Sequence, residues 1–256
     1  MSQYNWNWGV ILEEVAGTGE HYYQWLATGL GWTVVTALLA WMIAMTVGSL
    51  VGIARTAPSK WLAGLGTAYV ELFRNIPLIV QLFIWYWIVP DLLPEPLKTW
   101  VKQDMRFVVE FTDHLPEFVF AVLGLGFYTS ARVAEQVRTG ILALPRGQRN
   151  AGLALGFTLP QTYRYVLLPM AYRIIVPPLT SEFMNVFKNS AVALAIGLTE
   201  LTFQMRQITG EYAPANPIEV MTVTSLLYLT VAFSVNRLMA WVERRVQVPG
   251  YIAGGK

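Results

Sequence analysis

The sequence predicts an all-α protein of the multi-pass membrane class, with about five helical spans. Two observations carry that expectation. Of the 256 residues, 55% are hydrophobic and only 13% charged, whereas roughly a quarter of a soluble domain is charged. Apolar windows with few or no charges also recur at about the 20 residues a helix needs to cross a bilayer. The composition excludes a disordered chain and a soluble globular domain. The formal net charge is +2 and cysteine is absent. That leaves no gathered basic face for nucleic acid, no disulfide framework and no thiolate nucleophile or metal ligand.

The spans follow in order. From His21 to Ile53 there is no Asp, Glu, Lys or Arg, and residues 30–53 form the first expected span. Glu13, Glu14 and Glu20 precede it where a signal peptide would carry basic residues, so a cleaved leader is not expected. Residues 64–90 form the second, with the Glu71–Arg74 step marking where a break would fall. Residues 118–139, 174–199 and 218–238 form the third, fourth and fifth. The fourth carries Glu182 and Lys188, and the whole chain reads as one transmembrane domain.

Loop charge orients the spans. Arg55, Lys60, Arg74, Arg138, Arg146, Arg149, Arg164, Arg173, Arg237, Arg244, Arg245 and Lys256 fall on one side, against Lys98, Lys102, Arg106 and Arg206 on the other. Excess Lys and Arg mark the cytoplasmic side. The amino end is therefore expected outside and the carboxyl end in the cytoplasm. Tyr22, Tyr23, Trp25, Trp85, Tyr86, Trp87, Trp100 and Trp241 fall near span ends, where amphipathic rings favour the interface.

The long cytoplasmic segment, 140–173, is the first polar stretch that asks for a role. Pro145-Arg146-Gly147 signals a turn, Asn150 to Gly156 a short helix closed by glycine, and Pro160 the start of another. Leu168-Pro169 is expected to break that second helix before the fourth span. A solvated loop is the plain reading. The small residues Ala151, Gly152, Ala154 and Gly156 point instead to close packing.

These residues carry a resemblance. Gly147-Gln148, Asn150-Ala151-Gly152, Gly156 and Leu168-Pro169 resemble the EAA loop of ABC-importer membrane subunits, with Asn150 in place of its Glu and Gly152 in place of its second Ala. Tyr69 to Gln81, including Glu71, Arg74, Pro77 and Gln81, resembles the signature that opens the second span of polar-amino-acid permeases. Asn5 to Gly9, Arg132 to Arg138, Val176 to Glu182 and Val242 to Arg245 extend the likeness over nearly the whole chain. The resemblance implies a type I ABC-importer permease architecture and the ATP-driven import of an acidic amino acid, L-glutamate or L-aspartate. It implies a homologous second permease subunit, two ATPase subunits that use ATP and Mg, and a periplasmic solute-binding protein. The EAA loop would be the coupling helix docked on the ATPase. The chain itself has no G-x-x-x-x-G-K-[ST] and is not expected to bind a cofactor or act as an enzyme.

Ionisable residues at membrane depth are costly and mark pathways or partners. Arg132, Glu135 and Arg138 are spaced i,i+3, so they could satisfy one another along one helix. Alternatively Arg132 faces a cavity and grips a substrate carboxylate in bidentate fashion. Related permeases for other polar amino acids often carry Tyr there, so an Arg fits selection for a dicarboxylate. In the fourth span Ser181, Glu182, Asn185, Lys188 and Asn189 share a face. They either fill a helix seam or form a translocation wall, Lys188 meeting the α-carboxylate and Glu182 the ammonium; the wall is the favoured expectation. His21 and His114 are too isolated for a metal site. Residues 91–117 read as an acidic outer loop. The competing function is a secondary transporter or channel that uses the intramembrane charges, although no internal duplication supports it.

Overall fold

The computed structural model describes residues 4–101, 114–212 and 216–246. Its elements are helices: α1 Tyr22–Ala54, α2 Lys60–Asn75, α3 Leu78–Phe83, α4 Val89–Leu92, α5 Glu95–Thr99, α6 Leu115–Leu142, α7 Arg146–Ala154, α8 Leu159–Thr162, α9 Leu168–Ser190, α10 Leu201–Gln207 and α11 Pro217–Val246. Among the described residues three helices, α1, α6 and α11, are long and apolar enough to cross a membrane, and the count reaches five if each of two bent helix pairs forms one span. Residues 102–113 of the expected outer loop lie outside the described residues.

Large apolar side chains stay exposed along these helices: Met42 at 63%, Leu50 at 69%, Leu65 at 68% and Phe233 at 67%. Water would make such faces adhesive, whereas hydrocarbon makes them neutral. Lipid also removes the hydrophobic drive for one helix to bury against another. Close van der Waals packing and polar contacts must therefore hold the helices together.

The chain forms two compact units. One consists of Met1–Ala40, Pro77–Gly126 and Val186–Phe233, the other of Trp41–Ile76, Phe127–Asn185 and Ser234–Lys256. In the second unit the close packing is written in glycine. A Cβ on Gly48 would lie 2.6 Å from the Ser130 carbonyl oxygen, and one on Gly52 would lie 2.7 Å from that of Ala134. Gly48-x-x-x-Gly52 on α1 is thus a small-xxx-small face pressed against α6. Gly140 plays the same part toward α9, its Cβ position 3.2 Å from the Ala171 carbonyl oxygen. Ala44, Val133, Val137, Ile141, Tyr163, Leu167, Ala171 and Ile175 fill the core these approaches create.

Two expectations change. The second apolar stretch is not one helix from 64 to 90. It stops at Asn75, resumes at Leu78, and Ile76 is extended at φ −94°, ψ 126°. Pro77 disfavours the α conformation at the residue before it, which puts the break two residues after Arg74. Conversely, Leu168-Pro169 does not break the helix that precedes it. A wide π turn spans Tyr163–Leu167, and the Leu168 N–H reaches back to the Tyr163 carbonyl. That turn takes up the hydrogen bond proline cannot make, so the chain runs helically through Pro169 into α9. Pro177 and Pro178 lie inside α9 as well.

In the first unit Val10, Val15, Tyr22, Leu26, Leu201, Ile208 and Val220 form the core. The amino-terminal segment is tied there by Glu219, which accepts from the Tyr4 hydroxyl at 2.5 Å and the Asn7 N–H at 2.7 Å.

Candidate functional site

The second unit gathers six charged side chains around α6. Gly52 lets α1 approach α6 closely, and three residues later Arg55 reaches Glu135. A Cβ on Gly66 would lie 2.7 Å from the Arg55 Cγ, so this glycine leaves room for the arginine stem. Arg55 and Glu135 form a short hydrogen-bonded ion pair, with the Arg55 side chain only 8% exposed. The other Glu135 oxygen accepts from Arg138 at 3.2 Å, and Arg74 of α2 stands 3.7 Å from the oxygen that Arg55 holds.

Three residues before Glu135 on α6, Arg132 donates to the Tyr128 hydroxyl at 2.8 Å and lies over that ring, 5.1 Å from its centroid. Its other terminal nitrogen is 3.8 Å from Glu182 of α9. Arg132 therefore turns to Glu182 rather than to Glu135, and of the intrahelical network only Glu135–Arg138 is made. Glu182 keeps one oxygen buried without a hydrogen bond. Arg74, Arg132, Glu135, Gln136 and Glu182 line one cavity of about 220 Å³. It is polar, and its Glu135 is paired with Arg55 and Arg138. The cluster counts four guanidiniums against two carboxylates, a surplus of two positive charges.

The polar stripe of the fourth span is divided. Glu182 alone of the five lines this cavity. Ser181 and Lys188 are exposed, Asn185 and Asn189 half-buried, and the boundary between the units falls after Asn185. In the signature segment Arg74 lines the cavity and Pro77 sets the helix break. Glu71 is exposed and accepts from Asn75 of its own helix at 3.0 Å, and Gln81 is buried in the first unit.

The segment after α6 is a two-helix knob. α7 ends in a Schellman motif: Gly156 sits at φ +85°, its N–H donates to Leu153 at 3.0 Å, and the Phe157 N–H donates to Gly152 at 3.2 Å. Thr158 and Gln161 then cap α8 reciprocally. Gly152 packs on Thr162, where a Cβ would lie 2.8 Å from the threonine methyl. Gly147, Asn150, Ala151 and Ala154 are on the open side, with Leu153, Leu155 and Phe157 exposed beside them. Asn150 and Arg149 also border a cavity of about 330 Å³. The Tyr163 hydroxyl donates to the Thr56 carbonyl at 2.8 Å, which fastens the knob to the end of α1.

Arg55, Tyr128 and Gln136 were not singled out by the sequence. The available signal was Gly48-x-x-x-Gly52, which marks a close helix contact just before Arg55.

Helices with lipid-compatible faces, a charged cavity within one unit and a capped knob are what a membrane permease requires. The chain belongs to the family of binding-protein-dependent transport system inner membrane components, matched over residues 44–248. It is a non-catalytic, multi-pass inner-membrane subunit of an ABC amino-acid importer. It is 47% identical over 250 residues to the glutamate/aspartate import permease protein GltJ of Escherichia coli strain K12, covering 98% of each chain. It is 27% identical to the glutamate/aspartate import permease protein GltK of Escherichia coli O157:H7, covering 94% of this chain and 99% of that one. Among solved structures, an amino acid ABC transporter crystallised with histidines matches with a TM-score of 0.69 and 28% identity, covering 88% of this chain and 95% of that one.

Proposed function

We propose that this subunit conducts L-glutamate or L-aspartate into the cytoplasm, with Arg132 holding the side-chain carboxylate during passage. The observation that carries the reading is the cationic surplus around the cavity lined by Arg132 and Glu182. A surplus of guanidinium charge in a low-dielectric setting favours an anion over a neutral or cationic amino acid. The import of both acidic amino acids named for the 47%-identical relative supports it. Glu182 supplies the complementary charge for the substrate ammonium.

The subunit works with a homologous second permease, two ATPase subunits that bind ATP and Mg, and a periplasmic binding protein that delivers the substrate. The knob of α7 and α8 is the coupling helix, its exposed Leu153, Leu155 and Phe157 seated on the ATPase. A rigid two-helix body capped at both inner ends can carry nucleotide-driven closure to α9 as a rigid-body movement. The helical continuity through Pro169 supports this, since a break there would let the stroke dissipate.

The test is uptake with competing amino acids by a strain carrying Arg132→Tyr. Uptake of glutamate and aspartate is expected to fall about tenfold or more while the subunit still assembles with its partners. Unchanged rate and selectivity would remove the role. Gly156→Asp tests the coupling: it strains the left-handed position, and is expected to uncouple ATP hydrolysis from transport without preventing insertion.

A further inference from the structure

We infer that Arg74 is the second anion-binding residue of the cavity and takes the substrate α-carboxylate, opposite the carboxylate held by Arg132. The inference rests on the reading of an acidic amino-acid substrate and adds to it the residue for the other end of the molecule. Lys188, expected from sequence for this part, does not line the cavity. Arg74 and Arg132 are the cations that do.

The electrostatics of Glu135 leave Arg74 available. Glu135 carries one negative charge and faces three guanidiniums. Arg55 holds it through a short hydrogen bond in a nearly closed site, and Arg138 holds its other oxygen at 3.2 Å. Arg74 stands off at 3.7 Å with its side chain 49% exposed. Coulomb attraction falls with distance and with dielectric, so the enclosed and nearer arginines take most of that charge. Among the described residues the Arg74 guanidinium makes no hydrogen bond, so its planar fork of donors stays unspent. Arg132 spends one donor on the Tyr128 hydroxyl, but its ion pair to Glu182 is comparably long at 3.8 Å. Two loosely held guanidiniums at one small polar cavity match two carboxylates on one small molecule. The cavity, about 220 Å³, exceeds the roughly 30 Å³ share of a water severalfold. If Arg132 takes the side-chain carboxylate, the α-carboxylate falls to Arg74.

The experiment is displacement of radiolabelled L-glutamate from the assembled transporter in nanodiscs by two analogues, each lacking one carboxylate. 4-Aminobutyrate lacks the α-carboxylate, and L-glutamine has an amide at the other end. In Arg74→Gln the preference for L-glutamate over 4-aminobutyrate is expected to fall about ten- to hundredfold, with the preference over L-glutamine unchanged. Arg132→Gln is expected to do the reverse. An unchanged preference over 4-aminobutyrate in Arg74→Gln would overturn the inference. In that event a lost preference over L-glutamine in Arg132→Gln leaves the proposed function standing, and no change in either variant removes both. Should Arg74→Gln fail to assemble, Arg74→Lys keeps the charge but not the fork. A smaller loss confined to the 4-aminobutyrate ratio supports the inference, and an equal loss on both ratios or none on either overturns it.

Discussion

Glu200, just before α10, and Glu135, on α6, are two carboxylates among apolar helices, satisfied in opposite ways. Glu200, fully buried in the first unit, caps α10 by accepting the N–H groups of Thr202 at 2.9 Å and Phe203 at 2.8 Å. The Tyr228 hydroxyl adds a third bond at 3.0 Å. Its partners are neutral dipoles and a helix N-terminus, so its charge is dispersed and the site is closed. Glu135 faces three guanidiniums and neutralises only one charge's worth, which leaves the site electrically open. A carboxylate among apolar helices can therefore serve as a closed fastening or leave surplus positive charge beside it, and the sign and number of its partners distinguish the two.

The comparison can be broken most severely at Glu135. Glu135→Ala strands the enclosed Arg55 charge and is expected to cost about 3–5 kcal/mol. Thermal unfolding of the purified complex would show it, and an unchanged profile would mean that Arg55 is solvated after all. Next comes the approach that brings the pair together. Gly52→Leu drives a side chain into the Ala134 carbonyl and Val137, at about 1–3 kcal/mol or more, read as loss of folded subunit in the membrane. Glu200→Ala removes a helix cap and one of the two hydrogen bonds of the Tyr228 hydroxyl, which keeps Thr202 at 2.8 Å, about 2 kcal/mol of stability. Transport selectivity per assembled complex is expected to stay as it was, and a changed selectivity would place Glu200 in the pathway. Tyr228→Phe is the mildest, about 1 kcal/mol, measured by the same unfolding.

Much of this was legible before any fold. The apolar windows predicted the long helices, Gly156 the end of α7, and Pro160 the start of α8. Arg132 was singled out because a guanidinium at membrane depth demands a partner. The partner itself was not legible. The i,i+3 spacing offered Glu135 on the same helix, but α1 reaches Glu135 with Arg55, and α9 offers Glu182 to Arg132. The expected break at Leu168-Pro169 failed for a different reason. A π turn can absorb a proline, and no local pattern announces one.

Hydropathy, charge bias and capping residues act over a few turns of chain, so the sequence by itself determined that this is an all-helical membrane subunit and roughly where its three longest helices, α1, α6 and α11, lie. Which guanidinium meets which carboxylate depends on how closely helices distant in sequence approach. Arg55 and Glu135 are 80 positions apart. That distance closes only because Gly48 and Gly52 carry no side chain to hold α1 and α6 apart, and the tertiary structure alone decided that Arg74 would be left with charge to offer.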